Sequence, residues 1–140
     1  MAAFTFVRAL NGMTPQTELM TAGGAMAVGD AVIHASGKVT KTADNPNKKT
    51  LAGICMGKHQ EDGIDIADED LVQVLPISTD SLLEGVQKDA TISVPGTEVG
   101  IDLTGTDLTF EAAGTNKVGQ VYKVIDAEAK IIQVRMYSIG

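Results

Sequence analysis

Hydrophobic and polar positions alternate in short runs along most of this chain, with a period of two rather than 3.6. The firmest stretch begins at Ala25. Val28-Gly29-Asp30 reads as a turn entering a strand at Ala31 to His34, and Ser36-Gly37 turns the chain into the alternating run Lys38 to Thr42. A polar loop follows (Asp44-Asn45-Pro46-Asn47-Lys48-Lys49). The next run, Leu51 to Met56, is apolar enough to belong in a core. Ile64 and Ile66 flank Asp65 like a short strand with one wet face, after a turn at Glu61-Asp62-Gly63. Leu71 to Ile77 has strand spacing, but Pro76 confines its end to a sheet edge or bulge. The closing strand is Ile131 to Met136, entered from Asp126-Ala127-Glu128-Ala129.

One segment reads as helix. Ser81-Leu82-Leu83-Glu84 matches a capping box, Asp80 adds negative charge at the positive end of the helix dipole, and Gly85 keeps the element short, ending near Lys88. Residues 1–24 read as a separate N-terminal arm. Phe4 to Leu10 alternates like a strand and holds two of the three Phe residues, Asn11-Gly12 offers a turn, and Gly23-Gly24 a hinge. Two readings of this segment stand side by side: a first strand plus loop of the domain, or an extended arm docking on a neighbour. The expected architecture is therefore mainly β, a small sandwich or barrel-like meander over 25–140 with one short helix and that arm.

The second part of the chain repeats the vocabulary of the first. Gly85 to Ile92 resembles Ala27 to Ile33, Val94 to Val99 resembles the turn around Gly37 and Val39, and Lys117 to Val124 stands where Leu51 to Met56 stood. A duplication is one explanation, and the common vocabulary of any Val- and Gly-rich meander is the other.

Composition narrows the function more than the fold. The net charge of −7, with no basic cluster denser than Lys48-Lys49, excludes a surface built to neutralise phosphates. A single cysteine, Cys55, allows no intrachain disulfide. No apolar run approaches the roughly 20 residues of a membrane span, and no signal-peptide pattern opens the chain. With aromatics at 4% and no Trp, a core must rest on Val, Ile, Leu, Ala and Met, which makes added stability from self-association or a partner an expectation.

Candidate chemistry is sparse. His34 and His59 are the only histidines, and with Cys55 they fall short of the four paired ligands of a zinc site. The acidic stretch Glu61 to Asp70 lacks the spacing of an EF-hand loop and reads as a solvated turn, with a cation or basic-partner patch as the alternative. Gly63-Ile64-Asp65 and Gly100-Ile101-Asp102-Leu103 superficially resemble the glycine–aspartate motifs of trimeric dUTP pyrophosphatases. The serine-bearing phosphate motif and glycine-rich aromatic C-terminal motif of that family are missing.

The order Val28-Gly29-Asp30-Ala31-Val32, Gly37-Lys38-Val39, Ala52-Gly53-Ile54 and Lys117-Val118-Gly119-Gln120-Val121 before the last strand resembles the head decoration (capsid cement) proteins of tailed bacteriophages. The resemblance spans most of 25–137 in short motifs and does not cover 1–24 or the Asp80–Lys88 segment. It implies a non-enzymatic protein without metal or cofactor. Such a protein is made in the host cytoplasm and sits on the outer surface of the virion as a homo-oligomer, most often a trimer, with the major capsid protein as partner and no direct contact with nucleic acid or membrane. Phe4, Phe6, Val7, Arg8 and Leu10 of the arm are then the expected capsid-binding residues. Another virion role on a similar scaffold (tail-tube, head-completion or head-fibre base) and a small hydrolase with Asp65 or Asp102 are the other readings.

Overall fold

The structure, a computed structural model, describes residues 3–10, 12, 15–59, 65–77 and 81–137. They form eleven strands: β1 Thr5–Ala9, β2 Glu18–Thr21, β3 Ala31–Ala35, β4 Lys38–Lys41, β5 Leu51–Lys58, β6 Leu71–Pro76, β7 Ser81–Val86, β8 Glu98–Thr104, β9 Asp107–Glu111, β10 Gly119–Asp126 and β11 Ile131–Met136. Two antiparallel sheets result, ordered β2-β6-β5-β3-β4 and β1-β7-β11-β10-β8-β9. Each curls back on itself. A parallel bridge joins Ala22 to Val39 in the first and Gln87 to Phe110 in the second.

The two sheets trace one path twice. Replacing β2, β3, β4, β5 and β6 by β7, β8, β9, β10 and β11 converts the first strand order into that of the second without its extra strand, β1. The correspondence holds bond by bond. Gly29 N–H donates to Cys55 O and Cys55 N–H to Asp30 O, both 2.9 Å; Gly96 N–H donates to Val121 O (2.8 Å) and Val121 N–H to Thr97 O (2.9 Å). Each pair of bonds follows a four-residue turn, Ala27–Asp30 or Val94–Thr97, whose third residue is a glycine with φ of +94°. In β3 and β5, Val32 faces Gly53; in β8 and β10, Val99 faces Gly119. A bulge then skips Met56 in β5 and Tyr122 in β10. Val94–Val99 therefore matches Ala27–Val32 and not the turn around Gly37. Gly85 lies within a strand and corresponds to Met20. The expected match of Lys117–Val124 with the Leu51–Met56 strand is the one the pairing reproduces.

Glycine is required where backbones meet. A Cβ on Gly53 would overlap the Leu75 carbonyl, and one on Gly119 would lie 2.5 Å from the Arg135 carbonyl oxygen. The two hairpins close on two-residue turns. Ser36 and Gly37 both have positive φ, as a type I′ turn demands, and Gly105 occupies the first central position of the β8–β9 turn. The β8–β9 ladder has five residue pairs, one more than β3–β4.

Packing breaks the symmetry. The interior of the first sheet holds Ala22, Met26, Val32, Val39, Ala52, Cys55, Ile66, Val72 and Val74. Its outer face (Ala31, Leu51, Ile54 and Ile77) joins the interior of the second sheet (Leu83, Val99, Phe110, Val121, Ile132, Val134) in a single larger cluster. β5 thus lies between two cores, and Leu51 to Cys55 are all buried. The polar loop Asp44–Asn47 fastens the two sheets. Asn45 N–H donates to Ile101 O (3.0 Å), Asn116 Nδ2 to Asn45 O (2.8 Å), and Leu103 N–H to Asp44 Oδ1 (2.9 Å).

One expectation is corrected. Ser81–Val86 is a strand, and no helix occurs among the described residues; Asp80 lies outside them. The capping-box pattern is a local preference, whereas Ser81, Leu82 and Leu83 are buried in succession between β1 and β11, where the ladders satisfy their backbone. β1 pairs with β7, Phe4 is 3% exposed with its ring centroid 4.6 Å from that of Phe110, and residues 18–21 form β2.

Candidate functional site

Of the five residues expected to bind a partner, the fold separates one from the rest. Phe4 points inward, against Phe110 and over Gly85, where a Cβ would lie 2.7 Å from the Phe4 ring. Val7 and Arg8 are exposed, and Phe6 and Leu10 half-buried. β1 ends its sheet, so its outer edge carries no strand among the described residues. A bulge between Phe6 and Arg8 disturbs the pairing with β7 at Val7.

Around β1 lies an apolar surface. Val28, at the second position of its turn, is 63% exposed, and Met56, in the β5 bulge, is 43% exposed. With Phe4, Thr5, Phe6, Gly29 and Ile54 they border a recess of about 140 Å³. The duplication repeats the device. Tyr122 occupies the same bulge in β10 and is 41% exposed, while Val94 and Pro95 occupy the matching turn and are exposed. A bulge re-aims one side chain out of the alternation. In both halves that side chain is large and apolar, which suits a docking surface better than a solvated rim.

The second feature is acidic. Carboxylate oxygens of Asp44, Asp102 and Glu111 lie within 4.8 Å of one another. Asp102 is buried; Lys88 Nζ lies 3.1 Å from one of its oxygens and Thr104 Oγ1 donates to the other at 2.7 Å. Burial pushes the Asp102 carboxyl upward, but the hydrogen bonds from Thr104 and Lys88, with the Lys88 charge, outweigh it and hold the group below its ordinary value. Glu111 goes the other way, raised by burial and by the Asp102 charge. Lys88 is raised by its bond to Asp102. The arrangement places a charge-compensated carboxylate midway along the β8–β9 hairpin. Asp65, the other half of the hydrolase reading, is exposed outside this cluster, and residues 61–64 lie outside the described residues.

Cys55 is buried inside the first sheet, and burial pushes its thiol up, away from the reactive thiolate. His34 is exposed on β3 and His59 follows the end of β5. Asp68 and Glu69, from the acidic stretch, pair with Lys38 at the surface. No helix among the described residues is long and apolar enough to cross a membrane.

Neither a protein-family model nor a curated protein matches the chain.

Sequence reading missed Val28 and Met56, because an exposed apolar residue in a strand or turn is indistinguishable by pattern from a core one. The glycine that follows each was the available signal: Val28 and Met56 both precede a glycine of positive φ, Gly29 and Gly57.

Proposed function

We propose that this protein is a head decoration (capsid cement) protein of a tailed bacteriophage, non-enzymatic and binding the major capsid protein on the outer surface of the mature head as a homotrimer. The observation that carries this reading is the apolar surface formed by Phe6, Val28 and Met56 beside the open edge of β1. An open edge offers backbone pairing and the side chains around it offer selectivity, the two ingredients of strand-mediated docking. Phe6, Val7, Arg8 and Leu10 then face the capsid, and Phe4 fixes the strand that presents them. The barrel-like, duplicated body gives each subunit two matching apolar platforms, and a trimer multiplies them into many weak contacts that act together. The charge of −7 favours the outside of the shell over the DNA-filled interior.

Co-sedimentation of the purified protein with expanded capsids of the phage that encodes it tests the reading. Saturable binding is expected, weakened at least tenfold by Val28→Asp with Met56→Asp while the circular dichroism spectrum is unchanged. Wild-type protein that fails to bind expanded capsids sinks the proposal. Rings or filaments of the protein alone in electron micrographs would favour a tail-tube or head-completion role instead.

A further inference from the structure

β5 carries two sulfur atoms in succession, and its bulge sends them to different surroundings. Cys55 lies in the core of the first sheet and is fully buried, its thiol pushed up by that burial, away from the thiolate that reacts. Met56 is the residue that the β5–β6 ladder skips, between Cys55 paired with Val74 and Gly57 paired with Gln73, and it is 43% exposed. The other methionines among the described residues are better covered. Met20 is half-buried, Met26 is buried in the core of the first sheet, and Met136 is buried in the larger cluster. Met1 and Met13 lie outside the described residues.

The surface around Met56 is apolar, and the backbone donors beside it are already used. Met56 borders the recess beside β1 with Phe4, Phe6, Val28 and Ile54, and Thr5 brings the one hydroxyl of that lining. Phe4 N–H donates to Gly29 O (3.0 Å), Gly29 N–H to Cys55 O (2.9 Å) and Cys55 N–H to Asp30 O (2.9 Å). Gly57 N–H donates to the Cys55 sulfur. A thioether suits these surroundings, because it is polarisable and asks for no hydrogen bond. A sulfoxide oxygen is a strong acceptor, and covering it without a donor is costly. The matching bulge of β10 holds Tyr122, which is equally exposed and has no sulfur to oxidise.

We infer that Met56 is a modification site, oxidised to its sulfoxide by hydrogen peroxide, and that the added oxygen weakens docking at the β1 side of the molecule while leaving the Tyr122 platform unchanged. In the step itself, the sulfur lone pair attacks one peroxide oxygen, an S–O bond forms and the O–O bond breaks. Sulfur is oxidised by two electrons and the peroxide is reduced; the departing hydroxide takes the proton of the transferred oxygen and leaves as water. Methionine sulfoxide reductases reverse the change. The effect on docking rests on the capsid reading, whereas the site of oxidation does not.

The test treats the full chain with a small excess of hydrogen peroxide at neutral pH and maps the product over time by peptide mass spectrometry. One oxygen is expected on Met56 ahead of Met20, Met26 and Met136, with Cys55 unmodified and the circular dichroism spectrum unchanged. Protein oxidised at Met56 should bind expanded capsids about tenfold more weakly than reduced protein in co-sedimentation, and the two epimer-specific reductases should restore the affinity. Whatever affinity Met56→Leu keeps should not respond to peroxide. Oxidation of Met20, Met26, Met136 or Cys55 before Met56 would overturn the site. A Met56 sulfoxide that binds as tightly as reduced protein would overturn its effect on docking, as would a Met56→Leu variant that peroxide weakens to the same extent. Reduced wild-type protein that fails to bind capsids would instead end the capsid reading, and the oxidation map would decide the site on its own.

Discussion

The two halves of this molecule share a path and differ in what covers them. Position for position, Leu51, Ile54, Ala31, Leu75 and Ile77 of the first half become Lys117, Gln120, Glu98, Arg135 and Tyr137 in the second. Every one of these lies on the outer face of its sheet. The first half's outer face is pressed into the second half's interior, so it must be apolar; the second half's outer face meets water, so it carries charge. Inside both sheets the residues stay apolar, with Val32 matching Val99 and Val74 matching Val134. Topology is set by the interior and by close-approach glycines, while the outer face is free to follow its surroundings.

Phe4 offers the sharpest break in the comparison. The first half fills the space beside Val39 with its own Met20; the second has Gly85 there and borrows Phe4 from β1. Phe4→Ala should cost about 3–5 kcal/mol in urea unfolding, the usual range for a buried phenylalanine. Gly85→Met alone should also destabilise, because its Cβ meets the Phe4 ring. Combined with Phe4→Ala it should instead recover part of the loss, since the second half would then use the first half's solution. Additive losses in the double variant would show that the two halves are not interchangeable at this point.

The paired glycines come next. Gly53→Ala and Gly119→Ala each drive a methyl group into the carbonyl of the neighbouring strand and into a valine, Val74 or Val134. Losses of about 1–3 kcal/mol are expected from such overpacking, larger at Gly53, where the approach is closer and both faces of β5 are covered. If Gly119→Ala proves neutral, the second sheet can relax where the first cannot, and the match in backbone geometry is not a match in rigidity.

Much of this fold was legible where residues speak locally. The Ser36-Gly37 hairpin and the Val28-Gly29-Asp30 turn declare themselves through residues suited to positive φ, and Leu51 to Cys55 through an unbroken apolar run, which the two flanking cores explain. The failures have a common cause. Leu82-Leu83 looked helical because pattern alone cannot tell a strand buried on both faces from a buried helix turn. β2 and β9 are short, and the exposed Leu19 gives β2 no inward face to announce it. The duplication was visible only as a hint, since the features that define it are hydrogen bonds and bulges shared by unlike residues. Of the proposed docking surface, β1 was legible from its alternation, whereas Val28 and Met56 were brought beside it by the turn and bulge.

The smallest expected effect probes the wet face directly. Tyr137 stands where the first half has the buried Ile77, and its hydroxyl donates to Glu98 Oε2 at 2.6 Å, where the first half has Ala31. Burial, followed by that bond to a carboxylate, pushes the phenol from its ordinary 10 up to about 12. The folded state therefore holds the proton more tightly than the unfolded one. Its contribution to stability is complete below about pH 10 and is lost as pH rises toward 12. A phenolate titration by absorbance in a Tyr122→Phe background should show ionisation near the upper value. Tyr137→Phe should remove the corresponding part of the alkaline loss of stability while leaving the lysine contribution in place. Ionisation near 10 instead would mean that the Tyr137–Glu98 contact is not held in solution. Position 137 would then be an ordinary surface site rather than the polar counterpart of a core residue.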